Sequence, residues 1–223
     1  RRSICMIFLL HPARAVALGF LIAIVIGTFL LMLPVSHAGA ETGSLLVSFF
    51  TAVSAVCVTG LVIVDTGTYW SMFGQVVILL LCQIGGFGMM TAATLLGLMV
   101  NRSLRLRTKL VTQVETHSLG LGDIGSVARL VFVVTVVVET ITAFFLIARF
   151  YSSYAMSFGD AVWHGVFHSI SAFNNAGFSI YPDSLARFAV DPLVLLPIMV
   201  AILVGGIGFP VLHDLRMKIR DPR

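Results

Sequence analysis

Two short glycine-containing segments have the residue types that could coordinate a monovalent cation. They are residues 57–61, Cys-Val-Thr-Gly-Leu, and residues 174–178, Asn-Asn-Ala-Gly-Phe. Glycine permits backbone angles that other residues resist, so successive carbonyl groups in such a segment can point in one direction. A ring of carbonyls can replace the hydration shell of a monovalent cation. Because neither segment contains an acidic or basic side chain, the sequence favours carbonyl coordination over a ring of charged side chains.

Three polar side chains just before the second segment offer a different chemistry. His164 and His168 are four residues apart, which places both imidazoles on one face of a helix, where they could bind a metal ion. Together with Asp160 they could also serve an intramembrane enzyme. No third metal ligand or nucleophile lies nearby, so we favour a polar pore-helix face and expect no metal site, no enzymatic activity and no cofactor.

Glu139 interrupts an otherwise uncharged stretch, Leu130–Ala148. A carboxylate near the middle of a membrane span is costly and usually functional. The side chain could face a pore, or it could hold a neighbouring helix by hydrogen bonds. We favour the second role, because carbonyl groups already explain cation coordination.

The composition is that of an integral membrane protein. Hydrophobic residues make up 58% of the 223 residues and charged residues only 11%, against roughly 45–50% and about 25% in soluble domains. This excludes a soluble enzyme, a disordered chain and a nucleic-acid-binding protein that works by charge, and it makes lipid the expected surroundings. The three cysteines, Cys5, Cys57 and Cys82, are scattered and suggest neither disulfides nor a metal site.

Basic residues indicate which apolar stretches cross the membrane. Apolar stretches occupy residues 15–40, 42–64, 66–101, 130–148 and 192–212, and a more polar one occupies 158–180. Basic clusters precede the first helix and follow residue 101, and the same arrangement recurs around the second half; basic loops stay in the cytoplasm. An even number of crossings therefore separates the clusters if the N-terminus is cytoplasmic. We expect Ser44–Val64 and Phe158–Ile180 to enter the membrane and return, with five or six ordinary spans as the alternative.

The two halves of the chain form an internal repeat. Residues 50–61 align with 167–178 without a gap, with Phe, Ser, Ala and Gly coinciding, and Gly85-Gly86 aligns with Gly205-Gly206 after a small length change. We therefore predict an all-α integral membrane protein with two parallel helix–pore loop–helix repeats around an axis normal to the membrane. The expected organisation is a cytoplasmic N-terminus (1–14), repeat 1 (15–110), a cytoplasmic linker (111–126) and repeat 2 (127–220).

Three motifs in order resemble the Trk/Ktr/HKT potassium transporter superfamily. Residues 54–61, with Asp65-Thr66, look like its first pore loop, residues 83–88 resemble the helix that follows, and residues 172–178 look like the second pore loop. The short N-terminal lead is most similar to the bacterial Ktr membrane subunit. The family has four such repeats around one pseudo-fourfold pore, so this chain corresponds to two of the four, as the first half of a longer chain or as an unusual short form.

The resemblance implies potassium uptake through a carbonyl-lined selectivity filter, often with sodium as a coupling ion. Its filter positions correspond to Val58, Thr59, Gly60, Asn175, Ala176 and Gly177. A glycine at the first filter is associated with potassium-permeable members and a serine with sodium preference. The resemblance also implies a multi-pass protein of the bacterial inner membrane. Its expected partners are the remaining half of the transporter chain, a second copy in a homodimer and a cytosolic nucleotide-binding regulatory ring. The alternative function is the potassium-binding, channel-like subunit of an ATP-driven cation pump, which shares this architecture.

Overall fold

The computed structural model describes residues 12–39, 43–89 and 124–207, and in this part of the chain the fold is entirely helical. No strand occurs there, and the pairing of His37 with Trp70 is an isolated bridge. The predicted all-α fold is confirmed. The described ranges contain seven α-helices, in chain order α1 Pro12–Met32, α2 Leu45–Val56, α3 Thr66–Tyr69, α4 Met72–Met89, α5 Ile124–Ser153, α6 Phe158–Phe173 and α7 Pro192–Ile207.

Within the part of the chain that the structure describes, two helices are long and apolar enough to cross a bilayer by length and composition, over Met72–Met89 and Val131–Ser153. Three further apolar helices of the described residues, Ala17–Met32, Leu45–Val56 and Pro192–Ile207, are shorter. Many large apolar side chains face outward, and Phe29, Phe144 and Phe158 are each 67–68% exposed. Exposed apolar surface on this scale is typical of a face that contacts lipid or another protein.

Helix α1 is described from Pro12 and α5 from Ile124, so helix covers the last three residues of the predicted N-terminal segment (1–14) and of the predicted linker (111–126). Proline suits the first turn of a helix, where its missing N–H has no partner to lose. Residues 124–126 contain no proline, so the apolar helix continues back into the segment expected to be a linker. The rest of the predicted linker, the end of repeat 1 and the residues beyond 207 lie outside the described residues.

The two predicted re-entrant segments each contain a short helix followed by irregular backbone. Helix α2 has 12 residues and α6 has 16, which correspond to lengths of about 18 and 24 Å. A bilayer core is about 30 Å thick, so neither helix can cross it upright. Ser44–Val64 and Phe158–Ile180 thus each form a short helix followed by a loop, as a re-entrant segment requires; re-entry into the membrane stays a prediction.

The cores of the two repeats share residues. One core joins α1, α2 and α4 and also contains Phe167, Ala176 and Phe178 of the second half. The other joins α5, α6 and α7 around Phe150 and Phe188, both fully buried. Because Ala176 and Phe178 follow α6 and yet lie in the first core, the loop after α6 is packed against repeat 1.

Each repeat ties the end of its first helix to the start of its last one. In repeat 1 the link is backbone pairing: the Ser71 N–H donates to the Ser36 carbonyl at 2.9 Å. In repeat 2 the link is the carboxylate of Asp191, which accepts from Arg149 Nε at 2.9 Å and from the Tyr154 hydroxyl at 2.8 Å. Burial would raise the pKa of Asp191, but these two hydrogen bonds hold it below its usual range.

Candidate functional site

The loops after α2 and α6 have the same backbone hydrogen bonds. Each helix ends in a Schellman motif, in which the two residues after the C-cap donate back to carbonyls of the last turn. In the first loop Val58 N donates to Ala55 O at 3.2 Å and Thr59 N to Ser54 O at 2.9 Å; in the second, Asn175 N donates to Ala172 O at 3.0 Å and Ala176 N to Ser171 O at 2.8 Å. The two segments that align in sequence therefore also share their backbone hydrogen bonds.

The loops also share an alternation of backbone angles. Positive φ occurs at Val58 and Asn175, both 56°, and again two residues later at Gly60 and Gly177, 70° and 71°. Glycine adopts such angles freely and asparagine tolerates them, but a β-branched valine there is an outlier. Strained backbone persists only where its surroundings hold it and is concentrated at functional sites. Both loops are therefore held in the same unusual backbone conformation.

The two loops touch at their glycines. A Cβ atom added to Gly60 would lie 2.6 Å from the Ala176 carbonyl oxygen and 3.0 Å from Gly177 Cα. Gly60 is therefore required both by its φ and by the close approach of the second loop. Among the six predicted filter residues the structure brings Gly60, Ala176 and Gly177 together, with Ala176 fully buried between the repeats.

Helices α2 and α6, the predicted pore helices, direct partial negative charge towards these loops. The C-terminal end of a helix carries a partial negative charge from its unpaired carbonyls, and α2 and α6 both end where a loop begins. Equivalent serines tie each loop back to its helix: Ser54 Oγ accepts from the Thr59 hydroxyl at 2.9 Å, and Ser171 Oγ donates to the Phe178 carbonyl at 2.6 Å. The sequence analysis missed these serines, although their alignment in the repeat is a signal for them.

Glycines on α4 and α7 let these helices approach the ends of the pore helices. A Cβ on Gly85 would overlap the Val56 carbonyl oxygen, and one on Gly205 would overlap the Phe173 carbonyl oxygen. Val56 and Phe173 are the last residues of α2 and α6. Gly85 and Gly205 therefore have the same close-packing role in the two repeats.

Glu139 lies beside the second loop. Its Oε1 accepts from Asn174 Nδ2 at 3.3 Å, and its backbone carbonyl accepts from Ser169 Oγ at 2.6 Å. Asn174 caps α6 and directly precedes the predicted filter residue Asn175. These bonds support the role in which Glu139 holds the pore helix.

Both histidines of α6 make hydrogen bonds with other groups of the protein. His168 Nδ1 lies 2.8 Å from the His164 carbonyl and therefore carries the proton, while Nε2 lies 3.0 Å from Ser179 Oγ. His164 Nδ1 lies 2.5 Å from the Tyr181 hydroxyl, and Asp160 accepts from Ser157 Oγ at 2.7 Å at the helix start. The described residues contain no group of three or more His, Cys, Asp or Glu able to hold a metal ion. The arrangement favours the polar-helix interpretation over a metal site.

Tyr181 also contacts the charged pair formed by Arg187 and Asp183. Arg187 donates to Asp183 through Nε at 2.8 Å, and its guanidinium lies 4.4 Å from the Tyr181 ring centroid. The hydrogen bond from Arg187 lowers the pKa of Asp183, and burial raises the pKa of Tyr181 to about 12. Asp183 and Asp191 thus both have an arginine partner, which compensates their negative charge.

Comparison with known proteins agrees with this geometry. Residues 12–221 match the TrkH family, described as cation transport proteins. The Ktr system potassium uptake protein B of Bacillus subtilis (strain 168) is 41% identical over 209 residues, which are 94% of this chain and 46% of that protein. Ktr system potassium uptake protein D of the same organism is 32% identical over 93% of this chain and 46% of its own length. The potassium/sodium uptake protein NtpJ of Enterococcus hirae is 32% identical over 92% of this chain and 45% of its own length. The chain thus spans about half the length of the curated relatives it matches.

Proposed function

Because this chain belongs to the TrkH family of cation transport proteins, we propose that it takes up potassium across the cell membrane through a filter built from its two glycine loops. The observation that carries the proposal is the identical pattern of positive φ in the two loops, at Val58 and Gly60 and at Asn175 and Gly177. The filter carbonyls come from Val58, Thr59, Gly60, Asn175, Ala176 and Gly177.

The chemistry of such a filter is the exchange of water for carbonyl oxygens. Potassium loses its hydration shell on entering, and the backbone carbonyls replace those contacts without a charged side chain. Neither loop has an acidic or basic residue, and each follows a helix whose C-terminal end is partially negative. Binding is thereby favourable enough for the ion to enter and weak enough for it to leave.

The proposed topology follows from the short helices and the basic residues. The N-terminus is cytoplasmic, each repeat crosses the membrane twice, and α2 and α6 enter without crossing. Repeats 15–110 and 127–220, joined by the linker 111–126, then have the same orientation. The lengths of α2 and α6, 12 and 16 residues, support this proposal, as do the many exposed apolar side chains. The proposed location is accordingly the bacterial cell (inner) membrane.

The proposed partners complete the pore and regulate it. Two loops cannot surround an ion, so the remaining half of the transporter chain supplies two more, consistent with relatives about twice as long. A homodimer, a cytosolic nucleotide-binding ring and sodium as coupling ion rest on the resemblance to the Ktr branch. A relative named for potassium and sodium supports a role for both ions. No cofactor and no metal other than the alkali cation enter the proposal.

The pump-subunit alternative is not favoured. The three relatives described above are named as uptake proteins, and their identity of 32–41% extends over more than nine-tenths of this chain. A pump subunit would need an ATP-hydrolysing partner for flux. Ion flux into liposomes that contain the purified complete protein and no ATP separates the two functions.

Uptake in cells tests the proposal directly. The complete transporter that carries these residues is expressed in a bacterium lacking its own potassium uptake systems, with an empty vector as the control. We expect net potassium uptake at low external potassium, with added sodium raising the rate if sodium is the coupling ion. Absence of uptake, with the protein present in the membrane, contradicts the proposed function.

A further inference from the structure

Helix α4 of repeat 1 carries two glutamines, and each bonds a residue of the second pore helix, α6. Gln75 Oε1 accepts from Trp163 Nε1 at 2.8 Å, near the start of α6. Gln83 Oε1 accepts from Asn174 Nδ2 at 2.7 Å, at the end of α6 where the second loop begins. The contact between repeats is therefore fixed by polar bonds at both ends of one helix.

The Asn174 side chain is the more extensively bonded of the two α6 partners. Its Nδ2 also donates to the Ile170 carbonyl at 2.9 Å and to Glu139 Oε1 at 3.3 Å, and the residue is only 5% exposed. Gly86 leaves the space that the amide occupies, since a Cβ there would overlap Asn174 Oδ1. One side chain thus joins α4, α5 and α6 immediately before the filter residue Asn175.

This arrangement is not repeated elsewhere in the described residues. The equivalent of Asn174 in the first loop is Cys57, which is exposed and has no amide. The α7 residues that correspond to Gln75 and Gln83, by the alignment of Gly85 with Gly205, are Leu195 and Leu203. The polar bonds are therefore a property of the junction between repeats 1 and 2, and do not come with the fold of each repeat.

We propose that Asn174 is a positioning residue of the filter, whose amide, held by Gln83 and Glu139, fixes the second loop against the first and thereby sets the preference for potassium over sodium. The inference rests on the proposed function. Gly60 and Gly177 lie in van der Waals contact, with a Cβ on Gly177 falling 3.4 Å from Gly60 Cα. A shift of α6 relative to α4 therefore changes the relative position of the two sets of carbonyls.

Small displacements are enough to alter such a preference. A tenfold change in the ratio of two ion affinities corresponds to about 1.4 kcal/mol. The bond between Gln83 and Asn174 is partly buried, and without Gln83 the Asn174 amide keeps only the Ile170 carbonyl of its own helix and the longer bond to Glu139. The tie from Asn174 to α4 is then lost, which allows the residues that follow Asn174 to move.

The test compares variants of the complete transporter for cation selectivity. Gln83→Met keeps the length of the side chain and removes both the acceptor for Asn174 and the amide that hydrogen-bonds Glu139. Trp163→Phe is the matched control, because it removes the other hydrogen bond between the same two helices while keeping an aromatic ring. We expect Gln83→Met to shift the ratio of apparent potassium and sodium affinities by about threefold or more, and Trp163→Phe to leave the ratio unchanged.

Exchanging the amide and the carboxylate between residues 174 and 139 distinguishes a positioning role of Asn174 from a purely structural one. Asn174→Asp places a carboxylate beside Glu139, loses the donors and is expected to lower selectivity. Adding Glu139→Gln restores a donor facing residue 174 and is expected to recover a large part of the selectivity. A purely structural role would lower the amount of protein in the membrane and the maximal rate in all variants, with the affinity ratio unchanged and no recovery.

The readout is chosen so that it does not depend on uptake. Purified protein in detergent is heated over a series of potassium or sodium concentrations, and the ratio of the half-stabilising concentrations reports filter selectivity. Failure of the wild type to carry potassium in cells would contradict the proposed function alone. An unchanged ratio in Gln83→Met and Asn174→Asp, or an equal change in Trp163→Phe, overturns the positioning role of Asn174.

Discussion

The backbone of Val58 departs furthest from local preference. It is a β-branched residue at φ 56°, at the position after a helix where glycine is usual. Its equivalent, Asn175, has the same φ but is a residue type that tolerates the left-handed region. The strain is therefore greater in the first loop than in the second, although their hydrogen bonds match.

Replacing each residue with glycine measures this difference. Val58→Gly relieves a steric cost of about 1 kcal/mol or more, which exceeds the entropy that glycine adds to the unfolded chain. Asn175→Gly relieves less. We expect Val58→Gly to raise the thermal midpoint of the purified complete protein relative to Asn175→Gly, measured side by side in the same detergent. Equal midpoints, or a lower one for Val58→Gly, would show that the strain at Val58 is smaller than the packing its partly buried side chain makes with the first core.

Helices α4 and α7 pack against the ends of the pore helices through glycines in matching places. Gly85 contacts the last carbonyl of α2, and Gly205 contacts the last carbonyl of α6. A methyl group at either position would force the pore helix away from its supporting helix. Since the proposed filter loops begin at these carbonyls, the packing of α4 and α7 fixes where the loops start.

Alanine substitutions test this packing. Gly85→Ala and Gly205→Ala are each expected to reduce the amount of folded transporter or its potassium uptake, because the overlapping atom is backbone and cannot rotate away. Gly19→Ala on α1 is the control, since a Cβ there meets nothing within 4 Å. Protein in the membrane and uptake per molecule are both measured. Normal values for Gly85→Ala and Gly205→Ala would show that close packing is dispensable.

The short helices and the loop glycines could be predicted because their signals are local and repeated. Each signal lies within a single short segment. The signals are the polar residues within apolar stretches, the glycine of each loop (Gly60 and Gly177) and the basic clusters. The bonds of Asn174 could not be predicted, because its partners Gln83 and Glu139 are 91 and 35 residues away in the sequence. Their meeting depends on the packing of α4 and α5 against α6, which the repeat does not encode.

For the histidines, the sequence allowed an interpretation that the structure does not favour. The spacing of His164 and His168 allowed a metal site, because periodicity shows which face two side chains share. It does not show what lies opposite that face. The structure places Ser179 and Tyr181 there, 11 and 17 residues further along the chain, and these hydroxyl groups use the imidazole nitrogens.

The molecule described here has two of the loops that a closed filter needs. Its two loops touch at Gly60 and Gly177, and the large apolar residues Leu46 and Phe49 of α2 and Met199 and Leu203 of α7 are exposed. Exposed apolar side chains of this size are typical of a face that contacts lipid or another protein. The proposed pore therefore depends on residues beyond this chain or on a second copy of it.

Expression of residues 1–223 alone tests that dependence. We expect no selective potassium uptake from this piece, because two carbonyl loops cannot surround an ion. Uptake is measured in potassium-uptake-deficient cells, with the membrane level of the piece determined and the complete transporter as the positive control. Selective uptake by a monomer, with its oligomeric state verified, would contradict the requirement for further repeats.

Serine substitutions at Gly60 and Gly177 in the complete transporter test the proposal that the backbone at these two positions selects potassium. A side chain at either position meets the opposite loop or restricts a positive φ, and a tenfold change in preference needs only about 1.4 kcal/mol. The measurement is the ratio of apparent potassium and sodium affinities in uptake-deficient cells, with Cys57→Ser as the control. The account predicts that Gly60→Ser and Gly177→Ser both lower the preference for potassium while the protein stays in the membrane, and that Cys57→Ser has little effect. An unchanged ratio in Gly60→Ser together with a shifted ratio in Cys57→Ser would contradict it.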